Sequence, residues 1–326
     1  MQSFVSLYNN LRRSFSPASK NDLDWRIEEV KTKLDCIEKR LNITHNKASE
    51  YILASTKEGY MLTFANDLII GKSLRDNGSF QEDDINKSIH LLERNRYNIQ
   101  RKTFMDIGSN IGTHAIYALK HGFQNAVCIE ADPENFRLLR INQILSSVDE
   151  RCINICVAVS DNSGEVTFHL SPVNYGDHRI FNSECASDNR HQEESWVKKV
   201  IQSKKLDDII HHNRIYLSEI GFAWIDTQGH EGHVLSGGDE FLSASIPFVA
   251  EFWPYGLDRN QGWKKFRSIL SETQREIFDL RRSINENSLV STTLEELDIL
   301  YERWLVEESM DGSPHTDLII VKKPHV

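Results

Sequence analysis

Thr103-Phe-Met-Asp-Ile-Gly-Ser-Asn-Ile-Gly112 is the stretch that decides the fold of this 326-residue chain. Its apolar residues predict a strand that ends near Asp106, and Gly108 and Gly112 bracket a tight turn into a helix from about Thr113. Glycine accepts positive φ and lets a ligand approach the backbone closely. The G-x-x-x-G spacing differs from the G-x-G-x-x-G turn of dinucleotide folds, which receives a pyrophosphate. S-adenosylmethionine, which has no phosphate, therefore suits this turn better.

Two further strand ends supply polar candidates for the same cofactor. In Val127-Cys-Ile-Glu-Ala-Asp-Pro133, Glu130 ends a strand about 20 residues past the glycine turn, where a carboxylate can accept both ribose hydroxyls. Ala158-Val-Ser-Asp161 ends the next strand, at the position where we expect the adenine ring of the cofactor. Asp106 is placed to meet the amino acid part of the cofactor. The cofactor residues predicted from this pattern are Asp106, Gly108, Gly112, Glu130 and Asp161.

Short apolar runs that resemble predicted strands recur along the rest of the chain. Most runs are followed by a turn signal and a helical stretch, which is typical of an α/β protein with a mainly parallel, doubly wound sheet. An extra alternating run at 164–170 predicts an inserted strand, 318–321 predicts an antiparallel final strand, and the charged region 260–310 is helical in pattern. The predicted parallel strands are 103–107, 126–129, 153–159, 222–225 and 247–250.

Composition narrows the class of partner. The formal charge is -10, from 38 basic and 48 acidic residues, and no basic patch is interleaved with aromatic residues. Nucleic acid is therefore not expected as a partner. The five cysteines contain no C-x-x-C pair, so zinc and dithiol chemistry have no support. Without a secretory signal or an apolar stretch near the ~20 residues of a membrane span, we expect a cytoplasmic protein.

The sequence predicts a separate helical segment over residues 1–50 and an S-adenosylmethionine-dependent domain over residues 51–326. An a/d spacing predicts a helix over 23–41, either a short coiled coil that joins protomers or one that packs on its own domain. The apolar face of 4–15 leaves peripheral membrane contact open. The a/d residues are Leu23, Ile27, Val30, Leu34, Ile37 and Leu41.

Taken together, these motifs resemble the FkbM-type methyltransferases. The resemblance runs from about Asp67 to about Pro254, which is over half the chain. It implies a class I, Rossmann-like methyltransferase fold, S-adenosylmethionine as cofactor, and substrates that are mostly hydroxyl groups of polyketides and sugars. It also implies cofactor roles for Asp106, Gly108, Asn110 and Glu130. The supporting motifs are 104–112, Ile129-Glu-Ala-Asp-Pro133, 158–161, 206–209, Trp224-Ile-Asp-Thr-Gln-Gly-His-Glu231 and Val249-Ala-Glu251.

The sequence departs from the family pattern at one place. The family usually has Lys-x-Asp-x-Glu-Gly-x-Glu after the fourth strand, whereas here Trp224 replaces the lysine and Gln228 the first glutamate. Gln228 can act only by hydrogen bonding where a glutamate would carry charge. The departure implies a related but distinct substrate class.

The catalytic candidates follow the fourth and fifth strands. Asp226 and Glu251 end these strands and point into the same crevice as the glycine turn. Methyl transfer to a hydroxyl needs a group that removes its proton. We expect Asp226 and His230 to form that acceptor, with the carboxylate raising the pKa of the imidazole against burial. His178 and Arg179, in the loop after the inserted strand, are further candidates.

A required metal is not predicted. His230 and His233 are three residues apart and lack the i, i+4 spacing of a zinc helix. Asp226, Glu231 and Glu251 leave an oxygen-rich magnesium site as the alternative.

The sequence thus predicts an S-adenosylmethionine-dependent O-methyltransferase for a hydroxyl of a sugar, glycan or other small natural product. An N-methyltransferase and a non-catalytic scaffold are the alternatives. The place after the fourth strand holds Asp226-Thr-Gln-Gly229 instead of the Asn/Asp-Pro-Pro-Tyr turn common in amino methyltransferases. The intact glycine turn and Glu130 disfavour a scaffold.

Overall fold

The computed structural model describes residues 50–97, 99–180, 191–307 and 314–322. The predicted helix over 23–41, the apolar face of 4–15, Cys36 and Cys185 lie outside the described residues.

The strands and helices alternate through most of the described chain. The strands are β1 (Tyr51–Thr56), β2 (Gly59–Phe64), β3 (Thr103–Ile107), β4 (Asn125–Glu130), β5 (Cys152–Cys156), β6 (Ala158–Val159), β7 (Gly164–Leu170), β8 (Arg179–Ile180), β9 (Val197–Lys204), β10 (Ile220–Ile225), β11 (Phe248–Phe252), β12 (Glu276–Asp279) and β13 (Thr316–Val321). The helices are α1 (Ile70–Asn77), α2 (Glu82–Arg94), α3 (Thr113–Lys120), α4 (Pro133–Leu145), α5 (Leu206–His212), α6 (Glu231–Ser236), α7 (Asp239–Ser243), α8 (Pro254–Arg259), α9 (Trp263–Glu272), α10 (Leu280–Glu286) and α11 (Leu294–Val306).

In the described residues a seven-stranded sheet has the order β12-β13-β11-β10-β3-β4-β5. The strands β5, β4, β3, β10 and β11 run parallel, and β13 is antiparallel to both of its neighbours. The predicted α/β class with an antiparallel final strand is confirmed. The chain moves outward from β3 to β5 and then returns to place β10 beside β3. Ligand crevices form beyond the carboxyl ends of the strands at such a reversal of order.

Each face of this sheet carries its own apolar core. Along β3, Phe104 packs on one face with the helices α3 and α4, while Met105 and Ile107 pack on the other. This split follows from the alternation of side chains along a strand. All five residues of β3 are buried, as expected for a parallel strand covered on both faces. The strand that supports the glycine turn is therefore rigidly held.

The third predicted strand, 153–159, is wrong as one unit. Hydrogen bonding to β4 ends where the Val157 N–H donates to the Glu130 carbonyl, and β6 then pairs with β9 in a smaller sheet of order β6-β9-β7-β8. A run that is apolar except for Asn154 cannot reveal this change of partner. The helical pattern assigned to 260–310 is also corrected, because β12 interrupts it and pairs with β13.

The inserted strand is confirmed as β7, which pairs with β9 along its whole length. The β1–β2 hairpin packs against α4, where the side chain of Asn142 accepts from the Leu62 N–H and donates to the Leu62 carbonyl. None of the described helices is long and apolar enough to cross a membrane.

Candidate active site

A cleft opens beyond the carboxyl ends of β3, β4 and β10. Its empty volume, with the open solvent at its mouth included, is about 520 Å³. Apolar residues form the wall near β6, and polar groups lie near the ends of β4 and β10. The lining residues are Ile107, Gly108, Asn110, Ile129, Glu130, Ala131, Asn135, Val157, Ala158, Val159, Phe168, Tyr175, Gly176, His178, Ile180, Asp226, Thr227, Gln228 and His230.

The glycine turn is shaped by the protein's own backbone. Gly108 has φ of 88°, and a Cβ there would lie 1.7 Å from the carbonyl oxygen of Asp226. Gly112, with φ of 93°, caps α3 and lies against Leu139. The positive φ matches the expectation, but the close approach that requires glycine at 108 is to the end of β10. The backbone at Gly108, after β3, therefore packs directly against the backbone that ends β10.

Glu130 is buried at the end of β4 and braces two turns at once. One carboxylate oxygen accepts from the Asn110 N–H and the other from the Asp132 N–H, both at 2.8 Å. Burial raises the pKa of Glu130 to about 7. An sp² carboxylate oxygen has room for a second donor, so both oxygens can still receive a ligand hydroxyl.

Asn110 connects the glycine turn to the loop that follows β7. Its side-chain amide donates to the carbonyl of Tyr175 at 2.9 Å, and Asn135 donates to the same carbonyl at 2.9 Å. Two amides from different elements thus hold one point of the loop against the cleft. Neither Asn135 nor Tyr175 was singled out as a cofactor or catalytic residue, because no local pattern marks such a long-range contact.

Asp106 and Asp161 lie away from the cleft lining. Asp106 points to the opposite face of the sheet from Ile107, and neither of its oxygens has a hydrogen-bond partner in the described part of the chain. Burial and the charges of Asp226 and Glu130 raise the pKa of Asp106 to about 8.

Asp161 lines a separate open groove, where it pairs with Lys265 at 2.5 Å and with His233 at 3.3 Å. Burial opposes ionisation, but these two partners hold the pKa of Asp161 well below its usual range.

Three carboxylates converge beside the glycine turn. One oxygen from each of Asp226, Glu231 and Glu251 lies within 4.8 Å of the others. The amide of Gln228 donates to Asp226 Oδ1 at 2.7 Å and to Glu251 Oε2 at 3.4 Å. Burial raises the pKa of Asp226 and of Glu251, and brings that of Glu231 to about 7. The glutamine that departs from the family pattern therefore bridges two carboxylates that a glutamate would repel.

His230 does not pair with Asp226. Its Nε2 lies 2.9 Å from Ser160 Oγ, and its Nδ1 has no hydrogen-bond partner within the described ranges. The ring stacks on His233 with centroids 4.3 Å apart. Burial lowers the pKa of His230 well below its ordinary value. The expected carboxylate–imidazole pair is thus wrong, because the turn after β10 directs the ring toward the end of β6.

The loop 174–179 divides into two parts. His178 lines the cleft, where its Nδ1 accepts from the Ser171 N–H at 3.0 Å and burial lowers its pKa to about 4. Arg179 instead pairs with Asp177 and with Glu193, between the rings of Trp196 and Trp253. The guanidinium therefore holds the loop and its neighbours together and does not line the cleft.

Comparisons with known proteins agree with the motifs. The model of the family described as methyltransferase FkbM domain matches residues 106–280. The 2-O-methyltransferase NoeI of Sinorhizobium fredii is 30% identical over 174 residues, covering 51% of this chain and 68% of that protein. The hexuronic acid methyltransferase AglP of Haloferax volcanii is 26% identical over 169 residues, covering 52% of this chain and 61%, less than two thirds, of that protein.

Solved structures give a more distant likeness. An O-methyltransferase from Bacillus cereus in complex with SAH is 10% identical, with a TM-score of 0.34, over 77% of this chain and 86% of that chain. A putative transferase from Pyrococcus horikoshii is 10% identical, with a TM-score of 0.37, over 85% of this chain and 74% of that chain.

Proposed function

Since this chain belongs to the FkbM family of S-adenosylmethionine-dependent methyltransferases, we propose that it methylates a hydroxyl group of a sugar, a glycan or another small natural product. The two curated relatives are named as a 2-O-methyltransferase and a hexuronic acid methyltransferase, which supports a sugar-related acceptor. The observation that carries the choice of a hydroxyl is the group of three carboxylates beside the glycine turn, the half-buried Asp226 and the buried Glu231 and Glu251.

The described residues fit S-adenosylmethionine. Glu130 has acceptor capacity for two ribose hydroxyls, and Val157, Ala158 and Val159 offer an apolar surface to the adenine ring. His230 also lines the cleft, and its buried Nδ1 has no hydrogen-bond partner in the described chain. The cofactor supplies a methyl group already activated on a sulfonium. The protein must therefore align the acceptor oxygen and remove its proton.

Asp226 is the proposed proton acceptor. Its backbone touches Gly108, so its carboxylate lies at the end of the cleft shared by β3 and β10. Burial raises its pKa, which makes it a stronger base than an exposed aspartate. Gln228 fixes one oxygen by a hydrogen bond and leaves the other for the acceptor. Glu251 supports this geometry through the same amide.

His230 has a different proposed role. A neutral imidazole with a lowered pKa resists protonation, so it is less suited than Asp226 to take the hydroxyl proton. We assign it to the wall of the cofactor cleft, where Ser160 orients the ring. His178 lines the opposite part of the cleft and remains the next candidate if Asp226 is not the base.

The proposal is tested by methyl transfer from isotopically labelled S-adenosylmethionine to two acceptor panels. One panel contains sugars and uronic acids with free hydroxyls, and the other contains matched amino sugars. We expect labelled methyl ethers from the first panel and the same O-methyl products from the second. Label found on nitrogen alone would overturn the proposal of a hydroxyl acceptor.

A further inference from the structure

The geometry points to a cation site in the catalytic end of the cleft: we propose that Asp226, Glu231 and Glu251 coordinate a divalent ion of the magnesium class. These residues come from three elements, the end of β10, the first turn of α6 and the strand β11. The proposal deepens the proposed function, on which its consequence for catalysis rests.

The spacing of the oxygens suits a hard cation. One oxygen from each carboxylate lies within 4.8 Å of the other two. Ligands at 2.0–2.1 Å from Mg²⁺ are separated by about 3–4 Å, and ligands of Ca²⁺ by up to about 5 Å. Each oxygen would have to move by up to about 0.7 Å to reach bonding distance around one Mg²⁺, and by a few tenths of an ångström around one Ca²⁺. Both ions prefer oxygen donors, and all three residues offer them.

Glu231 carries the second, independent observation. It is fully buried, and its Oε1 accepts from the Thr227 N–H at 2.8 Å, the Thr227 hydroxyl at 3.0 Å and the Gly229 N–H at 3.3 Å. Its Oε2 is also buried and has no hydrogen-bond partner among the residues that the structure describes. A buried carboxylate oxygen without a partner retains the full cost of its desolvation. A cation at the carboxylate group would satisfy that oxygen.

Among the described residues the group carries more negative charge than its neighbours offset, although the charge of His315 acts on Asp226. Glu251 lies directly opposite Asp317 in the antiparallel register of β11 and β13, and like charges in that arrangement destabilise a sheet. In the described part of the chain, no ion pair joins a lysine or arginine to Asp226, Glu231 or Glu251. Arg179 and Arg259, from neighbouring elements, pair with Glu193 instead. A bound cation would offset this excess of negative charge.

Gln228 prepares the site for an ion. Its φ of 54° places the amide where it donates to both Asp226 and Glu251. The two carboxylates are thereby held close together while each keeps an oxygen for coordination. An acceptor hydroxyl entering this space would become a ligand of the ion, which lowers the pKa of a bound hydroxyl. With the ion bound, the free oxygen of Asp226 would be a ligand, so the hydroxyl proton would pass to water at the open mouth of the cleft and no longer to Asp226.

Manganese binding to the full chain tests the site without cofactor or acceptor. We expect Mn²⁺, followed by electron paramagnetic resonance, to bind at one site per chain and to be displaced by Mg²⁺. Glu231→Gln, which keeps an acceptor for Thr227, should weaken binding by at least tenfold, and Glu251→Gln should do the same. The matched control is Asp161→Asn, a carboxylate held by Lys265 outside the group, which should leave Mn²⁺ affinity unchanged.

The outcomes separate the two proposals. The cation site would be overturned if the unaltered protein showed no saturable Mn²⁺ binding. It would also be overturned if Glu231→Gln and Glu251→Gln bound Mn²⁺ as tightly as the unaltered protein, or if Asp161→Asn lost as much Mn²⁺ affinity as those two variants. S-adenosylhomocysteine binding, measured on every variant, shows that the domain is folded. None of these results depends on methyl transfer, so a failed cation site leaves the acceptor proposal standing. Transfer to nitrogen alone removes the hydroxyl proposal even where Mn²⁺ binds.

Discussion

Replacing Glu130 by alanine should cost most of the affinity for S-adenosylmethionine. Each oxygen of Glu130 accepts one backbone N–H and keeps capacity for one ribose hydroxyl. A hydrogen bond to a charged group contributes about 1.5–3 kcal/mol, so losing two removes about 3–6 kcal/mol. At 1.4 kcal/mol per factor of ten, the dissociation constant should rise by about 10²- to 10⁴-fold. The variant also loses the acceptor of the Asn110 N–H, and this loss should weaken cofactor binding further.

Isothermal titration calorimetry with the cofactor and with S-adenosylhomocysteine measures this change. Glu165→Ala, which removes an exposed carboxylate on β7, is the control and should bind as the unaltered protein does. Affinity should also fall as the pH is lowered through about 7, because the carboxylate that accepts both hydroxyls becomes protonated. An alanine variant that is folded by circular dichroism and binds with unchanged affinity would refute the role of Glu130.

Three other predictions concern the base, the buried charge and the N-terminal segment. Asp226→Asn should lower turnover by about 10²- to 10⁴-fold while the cofactor dissociation constant changes little, because the lost proton transfer belongs to the transition state; equal turnover would place the base elsewhere. Asp106 has a folded pKa of about 8, so between pH 5 and 7 the folded state holds a proton that the unfolded state lacks, and stability falls as pH rises. In urea titrations, Asp106→Asn should reduce the fall of the unfolding free energy with pH by about 1.4 kcal/mol per pH unit. An unchanged dependence on pH would contradict the raised pKa of Asp106 in the folded state. Removing residues 1–48 should leave a folded, cofactor-binding domain of smaller oligomeric state, and light scattering that gives the same stoichiometry would rule out the helix over 23–41 as a joint between protomers.

The sequence was sufficient for the central strands β3, β10 and β11, because these strands are buried on both faces. Every residue in them is buried, so each reads as a mainly apolar run of the right length, interrupted by Asp106 in β3 and by Glu251 in β11. The turn residues Gly108 and Pro133 then mark where the helices begin. These local signals determine the order of strands and therefore the position of the crevice.

The finer geometry depends on contacts that no local pattern encodes. The mainly apolar run 153–159 hides a change of sheet at Val157. In β9 the pairs Lys198-Lys199 and Val200-Ile201 break the alternation of polar and apolar residues that identifies a strand. The spacing of Asp226 and His230 is one helical turn, but His230 is the residue before α6, and its ring turns toward Ser160. Helical spacing therefore predicted Asp226 as the partner of His230, whereas the ring contacts Ser160.

The hydrogen bonds that the Tyr175 carbonyl accepts affect how long the product S-adenosylhomocysteine stays bound. Asn110 and Asn135 both donate to it, and breaking two such bonds costs about 1–3 kcal/mol. These two bonds alone would limit release of the loop to about one molecule in 5 to one in 150, and the stacking of Tyr175 on Phe64 lowers that fraction further. Where S-adenosylhomocysteine leaves through this side of the cleft, its escape is slowed by at least that factor. Two amide side chains, neither of them at the reacting atoms, would thus set the pace at which the enzyme is reloaded.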